Sequence, residues 1–391
     1  MNILYSFRTR GVGAESVHIS GIANAFESLG HKVHFESPTG VDPRRQKGEN
    51  PFHKKKGHTS IWNTLAGRLP GFLFELAEIA YNFRNWFRIR AHLRCNQYGL
   101  IYERHAFFLC ATGFVAKRKG IPLVVEVNEL VGDERIRRQP LLLSLARWCD
   151  RQLFQRAALI VVVSPHLKRK ISERHQIPAE KIQVHPNAVD ASLLEKSPNP
   201  EIFRQQFELQ GKLNLGFVGW FVEWHRLEFL IEIFARLCRE QNGPKLNLLL
   251  VGDGPLRESL THQVSELGIS GNVTFTGTIE HTHIPAILRA IEIAVIPHSN
   301  EYRSPIKLFE YMAQECAIVA PKTEPISTVV ENNANGLLFK PLDKEHLYSS
   351  LKSLVMDTPL REQLGQAARK SVESRHTWKH NAQEILQRMK R

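Results

Sequence analysis

Residues 304–319 read SPIKLFEYMAQECAIV. Ser304-Pro305 is a helix-start pair, because a proline in the first turn forfeits no hydrogen bond and its fixed φ already suits the helix. Leu308, Phe309 and Met312 then recur at a spacing that puts them on one core-facing side. Residues 317–320, Ala-Ile-Val-Ala, read as a short buried strand. Lys307 and Glu310 stand three apart and are therefore neighbours on the helix surface. A helix N-terminus with a cation beside it favours an anion such as phosphate. A carboxylate at the same place can accept two hydroxyl hydrogen bonds, as from a ribose. Taken alone, the pair is equally an ordinary surface ion pair.

The chain has 391 residues, enough for two domains of ordinary size. With 42% hydrophobic and 23% charged residues it is globular rather than disordered. It holds no run of 18 apolar residues, so no segment is expected to span a bilayer. The opening MNILYSFRTRG meets charge too early for a secretory signal. The five cysteines form no C-x-x-C pair, which fits a reducing cytoplasm better than a disulfide framework or a zinc site. The charge is lopsided: residues 1–190 hold 29 Lys and Arg against 16 Asp and Glu, whereas residues 191–391 hold 23 of each. A basic half joined to a neutral one points to an anionic partner for the first: nucleic acid, anionic lipid, or an acidic or phosphorylated acceptor. The stacking platforms and motifs of a nucleic-acid binder are missing, so no nucleic-acid partner is expected.

Both halves read as alternating strands and helices. Residues 1–7 and 31–35 are strands around a helix, and Gly11 and Gly13 occupy the first strand-to-helix turn, where backbone amides can approach a phosphate. Residues 100–103 and 121–127 are further strands. Ligands of open α/β sheets sit at the C-terminal strand ends, so Glu103, His105, Glu126 and Asn128 are site candidates, each as readily a structural hydrogen bond. Residues 157–163 form another buried strand, 186–190 (PNAVD) a turn, and 197–201 (SPNPE) a linker. The second half restarts with a strand at 213–218, followed by Gly219, a helix at 227–237, and strands at 246–251, 273–275 and 293–296. The turns after these strands carry Gly252-Asp253-Gly254-Pro255 and Gly277-Thr278-Ile279. This order predicts a second parallel sheet with helices on both faces.

Two stretches of the first half stand apart. Residues 40–60 are polar, basic and aperiodic, the composition of a mobile loop. Residues 72–90 are amphipathic: Phe72, Leu76, Ile79, Phe83 and Trp86 share one face, Glu75, Glu78, Asn82 and Asn85 lie off it, and Arg84, Arg88, Arg90 and Arg94 gather at the end. A core-facing helix is the commoner use of such a pattern. An anionic membrane surface reached through residues 44–94 is the other use.

The run Pro305, Lys307, Glu310, Tyr311, Met312, Ala313 resembles the donor-binding segment of the retaining glycosyltransferases of the GT-B fold, the "glycosyl transferases group 1" and bacterial family-4-like enzymes. The glycine opening, the PNAVD turn, the GDGP and GTI turns and NGLLF-x-P-x-D, ending at Asp343, resemble the same family in the same order. The resemblance implies two Rossmann-like, doubly wound α/β domains facing a central cleft. They would be an acceptor-binding domain at 1–190 and a nucleotide-sugar-binding domain at 191–365, with a C-terminal helix at 366–391 crossing back to the first. It implies transfer of a sugar from a UDP- or GDP-linked donor to a saccharide or lipid-linked saccharide, in cell-surface polysaccharide or glycoconjugate biosynthesis. The enzyme would be cytoplasmic, either free or peripheral at the inner membrane face. The nucleotide sugar is a co-substrate, and neither cofactor nor metal is expected. Carried over residue by residue, the donor side takes in Gly11, Gly13, Gly219, His225, Arg226, Gly254, Ile279, Ser304, Lys307, Leu308 and Glu310. The catalytic candidates are His105, Glu126, Asn128 and Glu301.

The chain also departs from that pattern. Trp220 stands where relatives have an Arg, and His225-Arg226 where they have Lys-Gly, the usual diphosphate cations. Tyr302 stands eight residues before Glu310, where many relatives carry a second Glu, with Glu301 one residue out of register. Either Glu301 serves through a loop insertion or that role is absent. These departures keep two alternatives open: a non-catalytic nucleotide-sugar-binding subunit, and a nucleotide-sugar epimerase on the same fold.

Overall fold

Short aliphatic runs bounded by glycine, proline or polar residues build the strands, and their burial on both faces makes them parallel-sheet strands. The structure is a computed structural model that describes residues 1–8, 14–37, 42–45, 71–132, 139–195, 199–240 and 243–390. The chain divides into two compact units, Met1–His185 with Asn381–Arg391, and Pro186–His380.

In the first unit β1 (Asn2–Ser6), β2 (Lys32–Glu36), β3 (Leu100–Arg104), β4 (Leu123–Val127), β5 (Leu159–Val162) and β6 (Ile182–Val184) pair in the order β2-β1-β3-β4-β5-β6. In the second, β7 (Leu213–Val218), β8 (Leu246–Val251), β9 (Val273–Gly277), β10 (Ile293–Val295), β11 (Ala317–Pro321) and β12 (Leu337–Phe339) pair as β12-β11-β10-β7-β8-β9. All these pairings are parallel. Each sheet is therefore doubly wound. The order reverses at β1 and β3 in the first and at β7 and β10 in the second, and such a switch point opens a crevice at the C-terminal strand ends.

The period of two along β7 and β8 sorts the second core. Leu213, Leu215, Phe217, Leu246, Leu248 and Leu250 face one layer, with the Leu227–Glu240 helix against it. Leu249 and Val251 face the other, together with Leu308, Phe309 and Met312 of the Ile306–Ala313 helix, all three fully buried as their spacing predicts. Ser304 does not cap that helix, which begins at Ile306. Its hydroxyl accepts the Asn187 backbone N–H (2.9 Å), and its carbonyl accepts from the Asn187 side chain (2.6 Å), so the PNAVD turn is tied to the approach to the helix.

The amphipathic helix of the first unit, Gly71–Cys95, corrects the core-facing expectation, because its polar side faces inward. Glu75 is buried and accepts the backbone N–H groups of Leu141 (2.6 Å) and Leu142 (2.9 Å), where the Leu143–Arg156 helix starts. Asn82 does the same for Cys110 (2.9 Å) and Ala111 (3.0 Å), where the Ala111–Lys119 helix starts. Glu78 pairs with Arg8, Asn85 with Thr112, and Arg88 and His92 with Glu36. Two helix N-termini each present unsatisfied N–H groups, and this one helix supplies acceptors to both. Of the apolar stripe, Ile79 and Trp86 are half-buried, whereas Phe72, Leu76 and Phe83 are exposed.

The helical tail breaks into Thr358–Arg375 and Trp378–Lys390. Residues 366–380, which the sequence reading assigned to the returning helix, stay with the second unit because Ala368 and Val372 are buried in its core. Among the described residues no helix is long and apolar enough to cross a membrane.

Candidate functional site

The switch point of the second sheet brings together the residues after β7 and β10. Gly219 follows β7 with φ 149°, a conformation that favours glycine, and a Cβ there would lie 2.6 Å from the Lys307 Nζ and push that amine aside. Lys307 is half-buried, its Nζ 3.9 Å from the centre of the Phe217 ring and 3.4 Å from His225 Nε2. Desolvation lowers its pKa to about 7, with Glu310 recovering only part. The His225 Nδ1 lies 2.6 Å from the Trp220 carbonyl, which can only accept, so the ring proton sits there and Nε2 is left to accept from Lys307. Burial, then the Lys307 charge, pushes the His225 pKa down to about 3. Arg226, in the left-handed region at φ 53°, pairs with Glu228 at 2.9 Å and is exposed. Of the three cations expected to share a diphosphate, His225 is neutral and Arg226 is engaged on the surface, which leaves Lys307 at the strand ends, its ionised form disfavoured by burial.

Lys307 and Glu310 are not an ion pair with each other. Glu310 is 13% exposed and takes His281 at 3.4 Å, an interaction that raises the histidine's pKa against the effect of its burial. Glu310 and His281 line a small hollow with Leu193 and Gln314. Gly254 packs under the loop after β7, where a Cβ would meet the Phe221 backbone at 2.5 Å. Ile279 is half-buried against the core, and Leu308 points its side chain wholly into it. Sequence reasoning missed Tyr311. Its fully buried hydroxyl accepts the Val218 N–H (2.8 Å) where the β7–β10 ladder has already ended at Gly216 and Ala294. A tyrosine on the core side of a helix was the available signal, since a buried phenol needs a partner.

Glu301, the candidate for the absent second Glu, is exposed and accepts the Glu324 N–H at 3.3 Å, at the start of the Glu324–Ser327 helix. Tyr302 is buried, under Arg303.

Gly11 and Gly13 lie outside the described residues. At the strand ends of the first unit, Glu126 is 1% exposed and sits among four partners: His18 (2.9 Å), Tyr102 (2.9 Å), Asn128 (2.6 Å) and Arg104. Burial opposes its ionisation, but the His18 and Arg104 charges and the bonds from His18 and Asn128 outweigh that and hold its pKa well below the usual carboxylate range. His18 and Arg104 are functional candidates that the sequence reading did not name. His105, a catalytic candidate at the strand end, has a side chain that is 1% exposed and held 2.8 Å from the buried Asp150. Glu103 is fully buried with neither carboxyl oxygen hydrogen-bonded, and burial pushes its pKa up to about 8. Asn128 is half-buried and is held by Glu126.

Residues 15–193 match the family model "Glycosyltransferase Family 4", and residues 198–371 match "Glycosyl transferases group 1". The chain is 26% identical over 259 residues to the alpha-D-kanosaminyltransferase of Streptomyces kanamyceticus, a match covering 64% of this chain and 65% of that one. The matched stretches span between about half and two thirds of the length of the first curated relatives. Among solved structures, Anabaena Alr3699/HepE in complex with UDP superposes with a TM-score of 0.71 at 18% identity over 99% of both chains. A glycosyltransferase from Rickettsia africae does so with 0.75 at 14% identity, over 100% of this chain and 97% of that one. Two family models that between them leave only short stretches of the chain unmatched, and two parallel doubly wound sheets whose fold superposes on these structures, place this chain in the GT-B glycosyltransferase family.

Proposed function

We propose that this chain is an enzyme that moves a sugar from a UDP- or GDP-linked donor to a saccharide or lipid-linked saccharide, with retention at the anomeric carbon. Its setting is the synthesis of a bacterial cell-surface polysaccharide or glycoconjugate on the cytoplasmic side of an anionic membrane. The carrying observation is Lys307, a half-buried ammonium at the switch point whose neighbours are a neutral imidazole and an aromatic ring. A desolvated cation that Glu310 attracts without pairing with it gains from an incoming anion, and a diphosphate supplies one. As the bond from the sugar to the diphosphate breaks, negative charge grows on the leaving phosphate, and Lys307 stabilises it. Glu310, one helical turn on, receives the ribose hydroxyls in place of His281. Neither a metal nor a cofactor is invoked. The UDP bound in the similarly folded HepE supports a uridine donor. Glu126, Arg104 and Asn128 shape the acceptor side of the first unit, and Glu301 is assigned no bond to substrate.

Thermal-shift screening against nucleotide sugars tests this reading, because stabilisation follows affinity. A UDP-linked or GDP-linked sugar is expected to raise the melting temperature, and Lys307→Met is expected to abolish the rise. Undiminished UDP binding in Lys307→Met would overturn the reading. The cation-poor pocket, with Arg226 turned to Glu228, favours a non-catalytic binding subunit as the second reading. Sugar transfer or donor hydrolysis above background would discard it.

A further inference from the structure

From the Gly71–Cys95 helix we infer that the first unit carries a docking surface for an anionic lipid bilayer. The inference deepens the reading above by naming the surface that brings the enzyme to a membrane-bound acceptor. The polar side of the helix is consumed in holding the unit together, through Glu75, Glu78, Asn82 and Asn85. The opposite side is apolar and open: Phe83 is 72% and Phe87 68% exposed, and Phe72, Leu73, Phe74 and Leu76 each exceed 40%. Phe72, Leu76, Phe83 and Phe87 follow one another at three- to four-residue multiples, so they make one stripe that Arg90 and Arg94 extend. Scattered apolar residues on a surface need no explanation, but a contiguous stripe does.

Charge selects the occupant. The only acidic residues of this helix are Glu75 and Glu78, and both are turned to internal partners. The outer side therefore offers Arg84, Arg90 and Arg94 beside the aromatic rings, with Arg90 lying 5.7 Å over the Trp86 ring. The surface continues onto the next helix. Glu75 binds the N–H groups of Leu141 and Leu142, and around that junction Leu141, Leu145 and Trp148 are exposed, with Arg147 among them. The whole first unit holds 32 Lys and Arg against 16 Asp and Glu, whereas residues 186–380 hold 20 against 23. Apolar side chains that enter the acyl boundary, framed by arginines at the level of anionic headgroups, are the pattern of an interfacial helix. The basic run at 54–56, part of that total, lies outside the described residues.

The test is co-sedimentation of the full chain with vesicles of phosphatidylcholine alone or mixed with phosphatidylglycerol, at low and at high salt. The wild type is expected to pellet with the anionic vesicles at low salt. Phe83→Ser/Phe87→Ser and, separately, Arg84→Ala/Arg90→Ala/Arg94→Ala are expected to weaken binding about tenfold or more. All these side chains are at least partly exposed, so melting temperature and UDP-induced stabilisation should match wild type; those two readouts judge the proposed activity independently. A wild type that stays in the supernatant overturns the inference, as does vesicle binding that neither variant weakens. Conversion of a dimer to a monomer by Phe83→Ser/Phe87→Ser, without loss of vesicle binding, would assign the stripe to a second copy of the chain and also overturn it.

Discussion

Glu126 in the first unit and Lys307 in the second stand at corresponding places, the C-terminal strand ends of two doubly wound sheets, yet their charges are handled oppositely. Glu126 is surrounded by donors and cations from β3, β4 and the Ala14–Ser28 helix, and its ionised form is the favoured one. Lys307 has a ring, a neutral imidazole and a glycine for neighbours, and its ionised form is the disfavoured one. A buried charge with its partners in place belongs to the architecture. One that lacks them is held ready for a ligand, since the protein has left the neutralising group out.

The largest effect is expected from removing the satisfied charge. Glu126→Ala leaves Arg104 and His18 facing each other without a carboxylate, and breaking such a buried cluster costs about 3–5 kcal/mol. Urea unfolding measures it. The Glu126 contribution is present above the unfolded carboxylate pKa and is lost as pH falls through the depressed folded value. A loss below about 1 kcal/mol would show that the cluster is loosely held. Lys307→Met is expected to do the reverse. It should leave stability at pH 6 unchanged or improved, and weaken nucleoside diphosphate binding by about 2 kcal/mol, some thirtyfold. The folded pKa of Lys307, about 7, lies below the ordinary lysine value of 10.5. Between those limits the unfolded chain holds the proton that the folded chain has shed, so wild-type stability rises with pH across that window and Lys307→Met flattens the rise. Diphosphate binding needs the charged form, so titration calorimetry above pH 7 should show proton uptake and falling affinity. Affinity that does not change between pH 6 and 9 would remove Lys307 from the phosphate.

The same contrast separates what was legible in the sequence from what was not. The parallel strands and the burial of Leu308, Phe309 and Met312 follow from periodicity and turn chemistry, which are local, whereas the two switch points depend on long-range strand order. The site around Lys307 was legible as a cation and a carboxylate one turn apart, but its electrostatics were not. Whether His225 is charged depends on the Trp220 carbonyl and on the Lys307 amine 82 positions away. For the Gly71–Cys95 helix the sequence left a core-facing and a membrane-facing use open, because a periodicity argument counts apolar residues and cannot see that two distant helix N-termini need the acceptors of Glu75 and Asn82. The His105 environment was not legible for a similar reason, since Asp150, which lies 2.8 Å from its ring, comes from a helix 45 positions away.

Glu103 extends the comparison to a third treatment, in which the buried charge is removed by a proton. Its pKa of about 8, against 4.5 for an ordinary glutamate, means that the folded chain keeps a proton the unfolded chain releases, so stability falls as pH rises from 4.5 to 8. Glu103→Gln keeps the shape and removes the titration. It should raise stability by about 1–2 kcal/mol at pH 8 and have little effect at pH 4, as read by melting temperature. An equal effect at both values would mean that the carboxyl is ionised and paired.

The smallest expected effect tests how far the contrast at Lys307 goes. Arg226 is exposed and ion-paired with Glu228, and such surface pairs contribute little. Arg226→Ala should therefore shift diphosphate affinity by less than about twofold, because Lys307 carries the anion alone. The left-handed turn at Arg226 makes this a sharp test, since a substitution that relaxes the turn frees the loop without touching Lys307. Arg226→Gly keeps the turn and deletes only the guanidinium. If both variants lose tenfold or more, the arginine leaves Glu228 when the diphosphate arrives, and the site works with two cations. If Arg226→Ala alone loses affinity, the turn matters and the charge does not.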